Sequence, residues 1–270
     1  MPGLENQVAV VTGGGRGFGR AIALRFAEDG ASVVVTARSA DQLDETVRLI
    51  KEKGGKAHAV PGDVTVAADV ERVKRETEAQ FGPVSLLVNN AGVPWPFGPT
   101  WYVDVERWWQ AQSTHVRAAM LYIHAFVPGM IERGSGRVIV VSSGIGRAVR
   151  ENMSGYGVAK ATQIRLTQFL AEEARPHGVY AFSIGPGNVL TEFANTGISE
   201  ADAQKFMPEW VESMRQRLDA GEDISEGLAK AANLCANLAS GQFDALSGEF
   251  LGVDDDLAAK LAEKGAASPR

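Results

Sequence analysis

The chain has one cysteine, no long apolar run and no surplus of positive charge, and each shortage removes a class of protein. Cys235 stands alone among 270 residues, so an intrachain disulfide framework is excluded and a reducing compartment suits the chain. Its apolar run, Ala231-Ala232-Asn233-Leu234-Cys235, marks it as a small core residue. No apolar stretch reaches the roughly 20 residues needed to cross a bilayer, and no membrane association is expected. The opening, Met1-Pro2-Gly3-Leu4-Glu5-Asn6, lacks the basic and then apolar order of a secretion signal, so cytoplasmic residence is expected by elimination. Against 27 Lys and Arg stand 33 Asp and Glu, a formal charge of -6. No basic cluster offers a footprint for nucleic acid, and no such partner is expected. No His, Cys and carboxylate cluster has metal-ligand spacing, so no metal is expected either.

What the chain does have is alternation. Short β-branched runs at Val8–Thr12, Ser32–Thr36, Ala57–Pro61, Leu86–Asn89, Arg137–Val141, Tyr180–Ile184 and Gly248–Leu251 read as strands buried on both faces. Between them, Ile22 and Phe26, then Leu43, Val47 and Ile50, then Val66, Val70, Val73, Thr77 and Phe81 recur at helical spacing. Gly30, Gly54 and Gly82 stand where these three helices should stop. Longer helices are expected over Asp104–Glu132 and Ser154–Arg175, and a last one over Glu226–Leu238. The fold class is therefore α/β: a single doubly wound, Rossmann-type domain over residues 1–270, with a mainly parallel seven-stranded sheet flanked by helices. The strandless stretch at about 192–223 is too long for a simple connection and reads as a lid, its Phe193, Ile198, Phe206, Met207 and Trp210 needing something to cover. The small polar tail at about 260–270 reads as loose.

Two local patterns carry chemistry. Thr12-Gly13-Gly14-Gly15-Arg16-Gly17-Phe18-Gly19 joins the first strand to the first helix, where a pyrophosphate can approach backbone N–H groups only if no Cβ obstructs it. Tyr156 and Lys160, four apart at the start of a helix, share one face. An ammonium beside the phenol, with the positive charge of an oxidised nicotinamide, is expected to draw the tyrosine pKa toward neutrality, so that it exchanges a proton near pH 7.

The spacing Thr-Gly-x-x-x-Gly-x-Gly resembles the short-chain dehydrogenase/reductase family, in its compact one-domain branch. Asn89-Asn90-Ala91-Gly92, Tyr156-Gly157-Val158-Ala159-Lys160, and Pro186-Gly187 with Thr191 agree, and the resemblance runs from about residue 6 to 255. It implies an oxidoreductase (EC 1.1.1.-) that moves hydride between a nicotinamide cofactor and a carbonyl or alcohol, Tyr156 being the general acid/base. It implies that Gly13, Gly15, Arg16, Gly17, Phe18 and Gly19 hold the pyrophosphate region, that Asp63 and Val64 border the adenine, and that Asn89 lies by the adenosine ribose. Asn90, Ala91, Gly92, Pro186 and Gly187 would line the cofactor, and Val189 and Thr191 would meet the carboxamide. Lys160 would bond the nicotinamide ribose. A serine thirteen residues before the tyrosine would polarise the substrate oxygen; Ser143 fits, with Ser142 as second candidate.

Cofactor choice rests on the end of the second strand, Thr36-Ala37-Arg38-Ser39. Ala37 occupies the position where an NAD-selective site carries an acid, and Arg38, Ser39 and Arg16 offer donors to a 2′-phosphate, so NADP(H) is expected. The chain departs from the family at His115, where an asparagine is usual and is thought to hold a water that connects the lysine to solvent. Three outcomes stand open: a working substitute, a relay that adds pH dependence near 6.5, or a bystander.

The substrate is a small molecule whose walls can be described only in character. Trp95 and Phe97, Trp101, Tyr102 and the lid residues favour a bulky apolar or aromatic ketone, aldehyde or alcohol, although aromatic residues also serve packing, the expected place of Trp108 and Trp109. Arg147 and Arg150 either meet an acidic group on the substrate or are surface charges. Alternatives are a 3-oxoacyl reductase, for which this acidic chain lacks a basic docking patch, and a non-catalytic NADP-binding sensor or scaffold. A homotetramer or homodimer built through the two long helices is expected from the family.

Overall fold

A computed structural model describes residues 3–267. Seven strands form one sheet in the order β3-β2-β1-β4-β5-β6-β7: β1 Val8–Thr12, β2 Ser32–Thr36, β3 Lys56–Ala59, β4 Leu86–Asn89, β5 Gly136–Val141, β6 Val179–Gly185 and β7 Phe250–Gly252. All six pairings are parallel, so the sheet is wholly and not merely mainly parallel. Chain order reverses between β1 and β4, and such a reversal opens a crevice beyond the carboxyl ends of the strands.

The strands are apolar throughout because helices cover both faces. On one face Ala9 and Val11 of β1 pack with Ile22 and Phe26 of α1 (Gly17–Glu28), Leu43 and Ile50 of α2 (Ala40–Glu52), and Leu234 and Leu238 of helix 225–239. On the other, Val8 and Val10 pack with Val70 and Val73 of α3 (Ala67–Phe81) and with Tyr122, Phe126 and Met130 of helix 118–132. The alternation along β1 is the period of two that a strand imposes. Fully burying Ile22 or Phe26 contributes roughly 1.5–3 kcal/mol each.

The expected long helix at 104–132 is one rod with a flaw in it. Asp104 caps α4 (Val105–Gln112) by accepting from the Arg107 backbone N–H at 2.8 Å. A π-turn at Ser113–Arg117 follows, and then α5 (Ala118–Glu132). Helix α6 (Ser154–Ala174) matches the second long helix. The stretch 192–223 is three short helices, α7 (Glu192–Ser199), α8 (Ala201–Phe206) and α9 (Pro208–Asp219). They share a small core of their own, in which Ile198, Met207, Val211 and Met214 meet Phe97 and Met153. Helix α10 is Ser225–Ala239.

The tail corrects its expectation. Residues Leu257–Ala267 form α11, because Leu257 and Leu261 pack on the core shared with α1 and α10. The last three residues of the expected loose tail, and Met1 and Pro2 of the opening, lie outside the described residues. Among the described residues no helix is long and apolar enough to cross a membrane.

Candidate active site

The crevice is a single cavity of about 1270 Å³. Nearly every residue singled out in the sequence lines it, from Gly13, Gly15, Arg16, Gly17, Phe18, Arg38 and Ser39 to Ser143, Tyr156, Lys160 and Phe193. Asp63, Val64, Asn90, Ala91, Gly92, Trp95, Pro186, Gly187, Val189 and Thr191 complete that set. Of the expected catalytic and cofactor-binding residues, three do not reach the wall: Gly19, Asn89 and His115.

Gly19 is needed for packing. A Cβ there would overlap the carbonyl oxygen of Gly13, so only glycine lets α1 start this close to the turn. Gly13 itself has φ +64, and a Cβ on it would fall 2.8 Å from Asn90 Nδ2. That amide donates to Thr12 O at 2.8 Å, and the Thr12 hydroxyl accepts from the backbone N–H of Asn90 and Ala91 at 2.9 and 3.0 Å. The Asn-Asn-Ala-Gly motif therefore staples the glycine turn to the end of β4. Two groups outside the expected set, Thr65 and Gln42, also border this end; Thr65 donates to Asp63 Oδ1 through both its hydroxyl and its backbone N–H.

Arg16 and Arg38 are exposed on the cavity rim, and neither has a carboxylate partner among the described residues. Ala37, also on the wall, presents no acid. The donor set and the glycine cradle fit a dinucleotide with a 2′-phosphate.

At the far end, β5 delivers two adjacent serines with opposite fates. Ser142 is buried, and its hydroxyl donates to Lys160 O at 3.0 Å. Ser143, at the start of the short turn Gly144–Gly146, faces the cavity beside Tyr156 instead, its hydroxyl accepting from the Ile145 backbone N–H at 3.4 Å. The Tyr156 ring packs against Phe193 at 5.7 Å and edge-on against His115 at 5.5 Å between centroids. Burial pushes its phenol up to about 12, with the nearby Ser143 hydroxyl opposing. Burial also draws the Lys160 ammonium down to about 7. The expected drift of the phenol toward neutrality is thus reversed in the protein alone. Lys160 Nζ lies 5.4 Å from the ring centroid and is turned to Val141 O and Gln163 Oε1, at 2.8 and 3.0 Å.

His115 sits in the π-turn behind Tyr156, 1% exposed. Its Nε2 lies 2.8 Å from Val93 O, and a Cβ on Gly92 would overlap its ring. Burial, and then the charge of Lys160, hold the imidazole down to about 3, so it is neutral at any physiological pH. Such enclosure weighs against a relay titrating near 6.5, because a second proton on the ring would be costly there.

The substrate walls are narrower than the sequence indicated. Trp95, Phe97, Met153, Phe193, Trp210 and Met214 face the cavity. Phe206 packs on Tyr102 at 5.2 Å, Met207 is buried in the lid core, and Trp101 is 90% exposed, so these four lie off the wall. Arg150 borders the cavity with its guanidinium 5.9 Å from the Trp210 ring, whereas Arg147 lies over Phe250. Met153 and Met214 carry no motif; their one signal is position, just before α6 and within the lid. Asp254 and Asp255 were likewise unmarked, and they follow β7 at the carboxyl edge where ligands gather.

A parallel, doubly wound sheet with a glycine turn at its crevice and a Ser, Tyr and Lys cluster across from it defines a class of dinucleotide-linked enzymes. The model of that class, short chain dehydrogenase, matches residues 7–202. The chain belongs to the short-chain dehydrogenase/reductase family of oxidoreductases. It is 33% identical to a short chain dehydrogenase of Pseudocercospora fijiensis, over 96% of this chain and 84% of that relative. It is 31% identical to a 3-oxoacyl-(acyl-carrier-protein) reductase of Staphylococcus epidermidis, over 92% and 98%. Among solved structures, a dehydrogenase/reductase from Sinorhizobium meliloti 1021 is 29% identical with a TM-score of 0.76, covering 94% of this chain and 97% of that one. Levodione reductase is 25% identical with a TM-score of 0.83, covering 96% and 98%.

Proposed function

We propose that the protein is an NADP(H)-dependent oxidoreductase that interconverts a bulky apolar or aromatic ketone or aldehyde with its alcohol. The observation that carries this reading is the cavity, with Arg16 and Arg38 at one end, neither ion-paired to a carboxylate among the described residues, and Ser143, Tyr156 and Lys160 at the other. In it, Gly13 to Phe18 cradle the pyrophosphate, Arg16, Arg38 and Ser39 hold the 2′-phosphate, and Asp63 and Val64 flank the adenine. Val189 and Thr191 meet the carboxamide. The cofactor, when bound, supplies or accepts the hydride.

The protein's own share is proton chemistry and positioning. Ser143 donates a hydrogen bond to the substrate oxygen. Tyr156, held neutral by its enclosure, gives its hydroxyl proton to that oxygen as a carbonyl becomes an alcohol, and takes it back in the reverse direction. Lys160, in its protonated form, sets a positive charge beside the phenol and steadies the tyrosinate as it forms. Trp95, Phe193 and Trp210 enclose the apolar body of the substrate and exclude water. His115 packs behind the ring of Tyr156 as a neutral group and takes the place of the family's asparagine.

The test is NADPH consumption against a panel of ketones and aldehydes, with Tyr156→Phe as control. Turnover is expected on apolar members and is expected to fall roughly 100-fold or more in the variant. Arg38→Asp is expected to raise the KM for NADPH roughly tenfold or more, since it removes charge-assisted bonds to a phosphate. Equal constants for NADPH and NADH in the unaltered protein would sink the cofactor assignment. Tight cofactor binding with no turnover on any substrate would make the protein a sensor.

A further inference from the structure

Behind Lys160 lies a buried side chain that none of the motifs includes. Gln163, one turn further along α6 and 2% exposed, accepts from Lys160 Nζ at 3.0 Å through Oε1. Its Nε2 donates to His115 O, in the π-turn, at 2.8 Å. A π-turn disturbs the regular ladder of helical hydrogen bonds, and here the carbonyl in it takes a side-chain partner. A second buried glutamine runs the other way across the same contact: Gln112, at the end of α4, donates from Nε2 to Gly155 O at 2.7 Å. The two amides bracket the Tyr156–Lys160 segment.

Only one of them touches the ammonium. Lys160 has three N–H donors; Val141 O and Gln163 Oε1 take two, and the third remains for the cavity that Lys160 lines. A glutamine has the reach and polarity for this place because its carbonyl end meets a cation and its amino end meets a carbonyl. A buried leucine would strand both partners, and a glutamate would set a carboxylate against the ammonium while losing the donor to His115 O.

We propose that Gln163 is a positioning residue for Lys160: its amide, braced on the His115 carbonyl, fixes the direction of the ammonium and leaves one N–H for the reacting groups. The inference rests on the oxidoreductase reading for its purpose, but not for its geometry. Among the described residues the titratable groups against Lys160 are Tyr156 on the same helix and His115 on the π-turn; β5 meets its ammonium with the Val141 carbonyl, and Ser142, just after β5, bonds its backbone carbonyl.

The experiment is a titration of the Lys160 ammonium by nitrogen NMR on lysine-labelled full-length protein, with thermal melts alongside. Gln163→Glu, Gln163→Leu and Gln112→Leu are compared with the unaltered chain. Gln163→Glu is expected to raise the Lys160 midpoint by about one pH unit or more, and Gln163→Leu to lower it. Gln112→Leu, which also removes one buried amide bridge, is expected to lower the melting temperature with the midpoint in place. In the NADPH assay Gln163→Leu is expected to lose roughly tenfold in kcat. A Lys160 midpoint that is the same in all four proteins, or that moves as much in Gln112→Leu as in Gln163→Leu, overturns the proposal. The titration needs no substrate, so an inactive wild type would count against the oxidoreductase reading and leave this result standing.

Discussion

Enclosure drives Tyr156 and Lys160 in opposite directions, the phenol up to about 12 and the ammonium down to about 7, and the pH behaviour of the site follows from that pair. In the free protein the tyrosine keeps its proton across the working range, which suits an acid in carbonyl reduction. The lysine is the group that titrates. Its charge is present below pH 7 and is lost as pH rises through that value, so kcat/KM for reduction is expected to fall on the alkaline side with a midpoint near 7. His115, held to about 3, contributes no limb in this range. The check is a kcat/KM profile for the unaltered protein and for His115→Asn. The alkaline limb should survive the substitution; its disappearance would show the imidazole to be the titrating group.

At the scale of elements, strands and the first three helices were legible because their residues answer to one requirement. Both faces of a parallel sheet are covered, so Val33–Val35 and Leu86–Val88 read as apolar runs with ends within a residue or two of those observed. The π-turn was not legible. Its residues Ser113 to Arg117 look helical, and what selects the wider turn is the packing of the His115 ring into the space beside Gly92, a contact with a distant loop. Gln112 and Gln163 were missed for a related reason: polar residues on a helix read as its wet face until the helix crossing buries them. Helix α11 escaped because small and charged residues surround the few, Leu257 and Leu261, that dock. The long helices also bear on assembly. Val158 and Phe169 of α6, 46% and 58% exposed, are eleven residues apart, about three helical turns, and so share a face. With exposed Trp109 and Met120 on the neighbouring rod, they fit the dimer or tetramer expected from the family. Sedimentation is expected to give two or four times 28.7 kDa, and Phe169→Glu to move it downward; a monomer in the unaltered protein removes this reading.

For the whole molecule, the buried ammonium ties stability to pH, because an amino group that holds its proton less firmly when folded couples proton release to folding. Lys160 has a folded pKa of about 7 against an unfolded value of 10.5. Between those values the unfolded chain binds more protons, so the free energy of unfolding rises with pH; below pH 7 both states are protonated and the full penalty of burying the charge is present. Lys160→Met removes the titrating group and keeps most of the volume, at the expense of two hydrogen bonds that do not depend on pH once lost. The comparison is therefore a slope and not a single value. From pH 7 to pH 9, the unaltered protein is expected to gain about 2 kcal/mol relative to the variant in urea unfolding, since each pH step over which one more proton is bound in the unfolded chain is worth about 1.4 kcal/mol. Tyr156, raised from 10 to about 12, acts in the other sense and only above pH 10, where the unfolded chain loses its phenolic proton first. If the two proteins run parallel from pH 7 to 9, Lys160 keeps its ordinary pKa in the folded state. The alkaline limb of the rate profile must then have another source.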